Sequence, residues 1–245
     1  MSEEKEERIA KVIARAGICS RRKAEELISE HKVKYDGELV TTPAFKVSIP
    51  NLIEVDGKPL LEKQPTRLWL YYKKTGFITT DKDPENRPTV FAQLPPSMPR
   101  VISIGRLDIN SEGLLLLTND GEFARAMELP ASKVPRTYKV RVYGKLHPKL
   151  LALDKSNKPS TITIEGVKYN LVDVTIDKTA MNNHWLILTL AEGKNREIRK
   201  ILEHFGLKIS RLIRISYGPF ELGRLKPGEL KEVQTKEINK VKGLF

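Results

Sequence analysis

The 245-residue sequence predicts an α+β protein in two parts: a small helix-rich domain, then a larger one on a mixed, largely antiparallel sheet. Three observations lead there. Apolar positions recur at helical spacing in the first thirty residues, and strand-like runs without βαβ alternation dominate after residue 67. The charge balance also changes between the two. Residues 1–66 hold twelve Lys+Arg and twelve Asp+Glu, whereas residues 67–245 carry the whole net charge of +12. Leu60–Thr66, polar and containing Pro65, follows the Gly57-Lys58-Pro59 turn and reads as a linker, which sets the domains at 6–62 and 67–245.

In the first domain Ile9, Val12, Ile13 and Ala16 line one helical face, and Gly17 is placed to end that helix. Ser20 is an N-cap for a second helix, with Ala24, Leu27 and Ile28 inward. Asp36-Gly37 marks a tight hairpin between Val33–Tyr35 and Leu39–Val40. In the second domain Val101–Ile104 and Leu114–Thr118 read as strands around a loop, and Asn119-Asp120-Gly121 turns into a helix through Phe123, Ala124 and Met127. Tyr138–Tyr143, Val167–Ile176, Trp185–Ala191 and Ile209–Tyr217 are further strands. Asn195 is placed to cap a helix with Ile198, Ile201, Leu202 and Phe205 on one face, stopped by Gly206.

Several function classes drop out. No apolar run reaches the roughly 18 residues of a membrane span, and the acidic opening Ser2–Glu7 has no export-signal core. The single cysteine, Cys19, allows no internal disulfide and fits a cytoplasmic protein. No phosphate-binding glycine loop or dinucleotide fingerprint is present, which also disfavours an RNA methyltransferase. His31, His147, His184 and His204 lack metal-ligand spacing, so no metal site is expected.

What the charge favours is a polyanionic partner. From Arg8 to Lys34 there are eight basic and three acidic residues, with Arg15, Arg21, Arg22 and Lys23 crowded at one helix junction. From Lys194 to Arg214 there are seven basic and two acidic residues, Lys194, Arg196 and Arg199 among them. Such clusters suit phosphate contacts, although a solvated helical face is the ordinary reading of a charge run. Between the clusters lies Gly105-Arg106-Leu107-Asp108-Ile109-Asn110-Ser111-Glu112-Gly113, a carboxylate in a glycine-bounded loop next to an arginine. A rigid sheet would hold Asp108 as catalysis requires, yet taken alone an aspartate in a loop more often serves a turn than a reaction. Glu112 is a second carboxylate, but its spacing fixes no geometry.

Two resemblances narrow this. Arg8-Ile9-Ala10-Lys11 through Gly17-Ile18-Cys19-Ser20-Arg21-Arg22-Lys23-Ala24-Glu25, with the Asp36-Gly37 hairpin, resembles the S4 RNA-binding domain. Gly105-Arg106-Leu107-Asp108, the Gly113–Leu117 run and Thr118-Asn119-Asp120-Gly121 resemble the signature of RsuA/RluB-type pseudouridine synthases. Arg136–Val142 and Glu192–Lys200 match the same family in order, and Asn195-Arg196-Glu197-Ile198-Arg199 is more similar to the branch acting on large-subunit ribosomal RNA.

The resemblance implies a pseudouridine synthase fold and a cofactor-free isomerisation of uridine in a flipped-out nucleotide. It assigns Asp108 as the essential aspartate, nucleophile or base, Arg199 as its basic partner and Tyr138 as the aromatic against the uracil. Arg106 would extrude the nucleotide or hold its phosphate; Arg196, Lys194, Arg15, Arg21, Arg22 and Lys23 would grip RNA. A monomer acting on ribosomal RNA or an assembly intermediate is expected. The alternative is a non-catalytic RNA-binding factor in ribosome assembly.

Overall fold

The computed structural model describes residues 6–60, 64–156 and 159–244, so the first five residues and part of the expected linker lie outside it. Two compact units emerge. One holds the chain up to Arg67 with the segments 97–102 and 119–121, and the other holds the remainder.

The first unit runs β1 (Glu7–Arg8), α1 (Ile9–Arg15), α2 (Arg21–Ser29), β2 (Val33–Tyr35), β3 (Glu38–Leu39), β4 (Lys46–Val47), β5 (Ile53–Val55) and β6 (Lys58–Pro59). Its helix ends follow the sequence. Gly17 takes φ +85 after α1 and donates its N–H to the Ala14 carbonyl at 3.1 Å, and Ser20 Oγ caps α2 by accepting the Lys23 amide at 3.1 Å. Tyr35 faces Glu38 across a two-residue loop in which Asp36 and Gly37 both have positive φ, as a right-twisted hairpin requires. Ile9, Ile13, Ile28, Val33 and Ile53 are fully buried in this unit's core, each such side chain stabilising by roughly 1.5–3 kcal/mol. Cys19 packs at the margin of that core.

The second unit is built on β7 (Leu68–Lys73), β8 (Ile102–Ile104), β9 (Glu112–Thr118), α3 (Gly121–Glu128), β10 (Arg136–Tyr143), α4 (Pro148–Ser156), β11 (Ser160–Ile164), β12 (Val167–Ala180), β13 (Asn183–Leu190), α5 (Glu197–His204), β14 (Lys208–Tyr217), β15 (Phe220–Glu221), β16 (Leu230–Glu232) and α6 (Thr235–Lys242). The sheet order is β11-β12-β13-β10-β14-β9-β7-β16, with β8 beside β9 and β15 beside β14. The β9–β14 pair is parallel, whereas β7–β9, β10–β13, β10–β14 and β12–β13 are antiparallel, so the sheet is mixed as the sequence predicts. β7 has no counterpart in the sequence reading. All six of its residues are buried, so no polar–apolar alternation marks it as a strand. Val140, Val142, Leu186, Leu188, Ile201 and Leu202 form a core between β10, β13 and α5.

One expectation needs correction. Asn195 does not cap α5; Arg196 is the N-cap residue, in left-handed conformation at φ 51 and ψ 32, with no side-chain capping bond. The turn is closed from inside the helix, where Glu197 Oε2 accepts the Lys194 amide at 3.1 Å. Gly206 ends α5 with φ +74. Among the described residues no helix is long and apolar enough to cross a membrane.

Candidate active site

Asp108 sits on the loop between β8 and β9, and side chains from elsewhere in the second unit hold that loop by its backbone. Gly105 N–H donates to Glu128 Oε1 at 2.5 Å, and the Arg106 carbonyl accepts Arg214 Nη1 at 3.5 Å. The Thr79 hydroxyl both donates to the Leu107 carbonyl, at 3.0 Å, and accepts the Leu107 amide, at 3.3 Å. Lys73 Nζ donates to the carbonyls of Lys74, Asp108 and Ser111 at 3.1, 3.0 and 2.8 Å. The Ile109 carbonyl accepts the Gly76 amide at 2.8 Å. With these groups paired, little freedom remains in the loop, while the Asp108 side chain itself stays 39% exposed.

The loop then enters β9 at a close approach. A Cβ on Gly113 (φ +100) would lie 2.4 Å from the Arg214 carbonyl of parallel β14, so only glycine fits. Arg214 is buried, donates Nε to the Leu114 carbonyl at 2.7 Å and lies over the Tyr217 ring at 5.1 Å. Arg136 stacks on the same ring at 4.6 Å and donates to its hydroxyl at 2.8 Å.

Two cations reach the carboxylate from the start of α5. Arg199 Nε lies 3.7 Å and Arg196 Nη1 3.8 Å from Asp108 Oδ2. Arg199, with its side chain 12% exposed, is tied to the loop by Nη2, which donates to the Asn110 carbonyl at 3.1 Å and to Ser111 Oγ at 3.4 Å. Its Nε is buried and makes no hydrogen bond among the described residues, so its contact with Asp108 is an ion pair alone.

Of the expected site residues, the fold therefore brings Asp108, Arg196 and Arg199 together. Tyr138 is half-buried on β10, opposite Leu188 and Arg214 at a register shift, and packs partly against the core. The Arg106 side chain is exposed. Lys194 is engaged on another side, with Nζ on the Lys168 carbonyl at 2.6 Å, on Glu192 Oε2 at 2.5 Å, and 5.5 Å from the Tyr169 ring centre. In the first unit Arg15 pairs with Glu7, Lys23 with Glu26 at 3.0 Å and Glu30 at 3.6 Å, while Arg21 and Arg22 are exposed.

Glu112 is no acid–base candidate. Arg211 holds it with two bonds of 2.6 and 3.1 Å and Tyr72 donates to it at 2.9 Å, and these partners keep its carboxyl below the usual range despite burial. Lys73 and Thr79 were not visible in the sequence; only the position of Lys73 at the end of the apolar run Leu68–Tyr72 hinted at burial. Burial pulls the Lys73 amine down to about 8, opposed by the charge of Asp108. Among the described residues no group of three or more His, Cys, Asp or Glu is placed to hold a metal ion.

In a basic protein, a sheet-anchored and partly exposed carboxylate thus stands against two arginines. The chain belongs to the RNA pseudouridylate synthase family, whose model matches residues 67–204, and the S4 domain model matches residues 7–53. It is 53% identical to an uncharacterised RNA pseudouridine synthase of Rickettsia felis, over 96% of this chain and 100% of that one. It is 38% identical to the ribosomal large subunit pseudouridine synthase B of Pasteurella multocida, over 97% of this chain and 70% of that protein. A crystal structure of a pseudouridylate synthase shares the fold, with a TM-score of 0.64 at 24% identity, over 96% of this chain and 99% of the other.

Proposed function

We propose that this enzyme converts a specific uridine of large-subunit ribosomal RNA to pseudouridine, with Asp108 as its essential group. The observation that carries the reading is the Asp108 carboxylate, fixed by its loop and answered by Arg199 and Arg196 within the family-matched segment. Support for the RNA comes from similarity to the Pasteurella protein, named for the ribosomal large subunit, and from the S4 domain.

The reaction breaks the bond between uracil N1 and ribose C1′, turns the base, and joins C5 to C1′. The proton on C5 is lost and N1 gains one, so atoms balance with no co-reactant. Asp108 acts on the ribose as nucleophile or base. Arg199, anchored to the loop, balances its charge and keeps it aimed, and Arg196 faces solvent where a phosphate can approach. Tyr138 packs against the uracil and Arg106 helps hold the nucleotide out of its stack. Lys194, Arg15, Arg21, Arg22 and Lys23 contribute charge along the RNA. We place the enzyme in the cytoplasm, acting as a monomer on ribosomal RNA or an assembly intermediate.

The test is a map of pseudouridines in large-subunit ribosomal RNA from cells with and without the gene. At least one site is expected to vanish without the gene and return with wild type. An unchanged map would leave the non-catalytic assembly-factor reading in its place.

A further inference from the structure

The first turn of α5 brings Arg196 and Arg199 to Asp108, and between them stands a carboxyl group that the reaction does not use. Glu197 is only 4% exposed. Its Oε2 accepts the Lys194 amide at 3.1 Å, whereas its Oε1 is buried and meets no conventional donor among the described residues. A second carboxyl, that of Glu192, stands close enough for its charge to act on Glu197. Glu192 is already supplied with donors: the Asn170 amide N–H at 2.9 Å, the Asn170 side-chain amide at 3.4 Å and Lys194 Nζ at 2.5 Å.

Two carboxyl groups hydrogen-bond only when one carries a proton. Glu192, with three donors of which one is a lysine, is the ionised member, so the proton belongs to Glu197. The other charges nearby are committed elsewhere. Arg136, against the loop at Gly193, bonds Tyr217; on β14, Arg211 is held by Glu112 and Arg214 by backbone carbonyls, and Lys208 is exposed. β11, which also packs on α5, carries no charged residue. On its own helix the neighbouring cations are Arg196 and Arg199, both directed at Asp108, and the exposed Lys200; Lys194, just before the helix, opposes the effect of burial with its amide and its charge.

We propose that Glu197 is a positioning residue that works as a neutral acid. Its proton bonds Glu192 and seats the turn at 192–197, so that Arg196 and Arg199 stay with Asp108 instead of turning to a buried anion. The proposal rests on the reading of Asp108 as the essential group. Burial pushes the Glu197 carboxyl up to about 8, and the charge of Glu192 pushes the same way. Ionisation above that pH removes the donor and sets two anions side by side, so the active form is the protonated one and the rate falls as pH rises.

The test compares the full-length wild type with Glu197→Gln and Glu197→Ala in single-turnover pseudouridine formation on a ribosomal RNA fragment, from pH 6 to 9.5. Glutamine supplies a neutral donor at every pH. Glu197→Gln is expected to match wild type at pH 7 and to show a smaller alkaline fall near pH 8 than wild type, the remainder being that of Lys73. Glu197→Ala is expected to lose about ten- to a hundredfold in rate at pH 7 with RNA affinity little changed. An identical alkaline fall in wild type and Glu197→Gln, or full activity in Glu197→Ala, overturns the proposal.

A second readout is independent of activity, so that an inactive wild type would sink the synthase reading and leave this one decidable. The folded-state carboxyl at about 8 lies above its ordinary 4.5, so wild type loses stability relative to Glu197→Gln as pH rises through that window, then levels off. Denaturant titrations showing a constant difference across it contradict a protonated Glu197.

Discussion

Lys73 illustrates how much of this site rests on single side chains that bear no chemistry themselves. Its ammonium is fully buried and serves three backbone carbonyls, two of them in the Asp108 loop. Replacing it by methionine keeps the volume and strips all three acceptors of their donor. Lys73→Met is expected to cost about 2–4 kcal/mol in urea-induced unfolding, and product formation should fall further than the lost stability accounts for. The pH dependence has a definite sign. The folded-state amine, at about 8, releases its proton before the unfolded one at 10.5, so wild type gains stability relative to Lys73→Met as pH rises through that window. A difference that shrinks there would contradict the buried cation. Asp108 was legible in the sequence because its neighbours Gly105, Arg106 and Leu107 form a motif. Lys73 and Thr79 were not, since their partners in the Asp108 loop lie 28 to 38 residues away and no motif links them.

Among the elements, helix caps and hairpin turns were the most readable, because Gly17, Ser20 and Asp36-Gly37 act on neighbours within four residues. Strand order was not. That β9 and β14 run parallel, with Gly113 opposite Arg214, depends on contacts about a hundred residues apart. The pairing has a sharp consequence. Gly113→Ala places a methyl 2.4 Å from the Arg214 carbonyl and asks alanine to hold φ +100. It is expected to destabilise the protein by more than about 2 kcal/mol in chemical denaturation, whereas Gly166→Ala, strained at φ +77 but with nothing within 4 Å, should cost about 1 kcal/mol. Equal costs would mean that the strands do not approach so closely. The misread cap at Asn195 has a local cause: an asparagine before an apolar helix fits the rule, but Glu197 closes the turn instead. α6 buries Ile238 and Val241, and nothing in the structure assigns it a role in the reaction.

At the scale of the whole molecule, the net charge of +12 foretold a polyanion but neither its kind nor the place of chemistry. Residues 67–245 hold that excess and also hold Asp108, while the first unit offers Arg21 and Arg22 to solvent. The double variant Arg21→Ala/Arg22→Ala is therefore expected to weaken RNA binding and to lower the salt dependence by about 0.7–0.9 for each phosphate left unneutralised. At saturating RNA its single-turnover rate should match wild type. A lower rate at saturation would move these arginines from holding to chemistry. Both family resemblances were legible because their motifs are contiguous, and the S4 and synthase matches at residues 7–53 and 67–204 carry them.

The central claim is that Asp108 carries the reaction. The most direct measurement incubates Asp108→Asn, matched to wild type in stability, with a large-subunit ribosomal RNA substrate and quantifies both pseudouridine and bound RNA. Retained binding with product below one part in about ten thousand of the wild-type rate is the expected result. Product at the wild-type rate would contradict the account and move the chemistry away from this carboxylate.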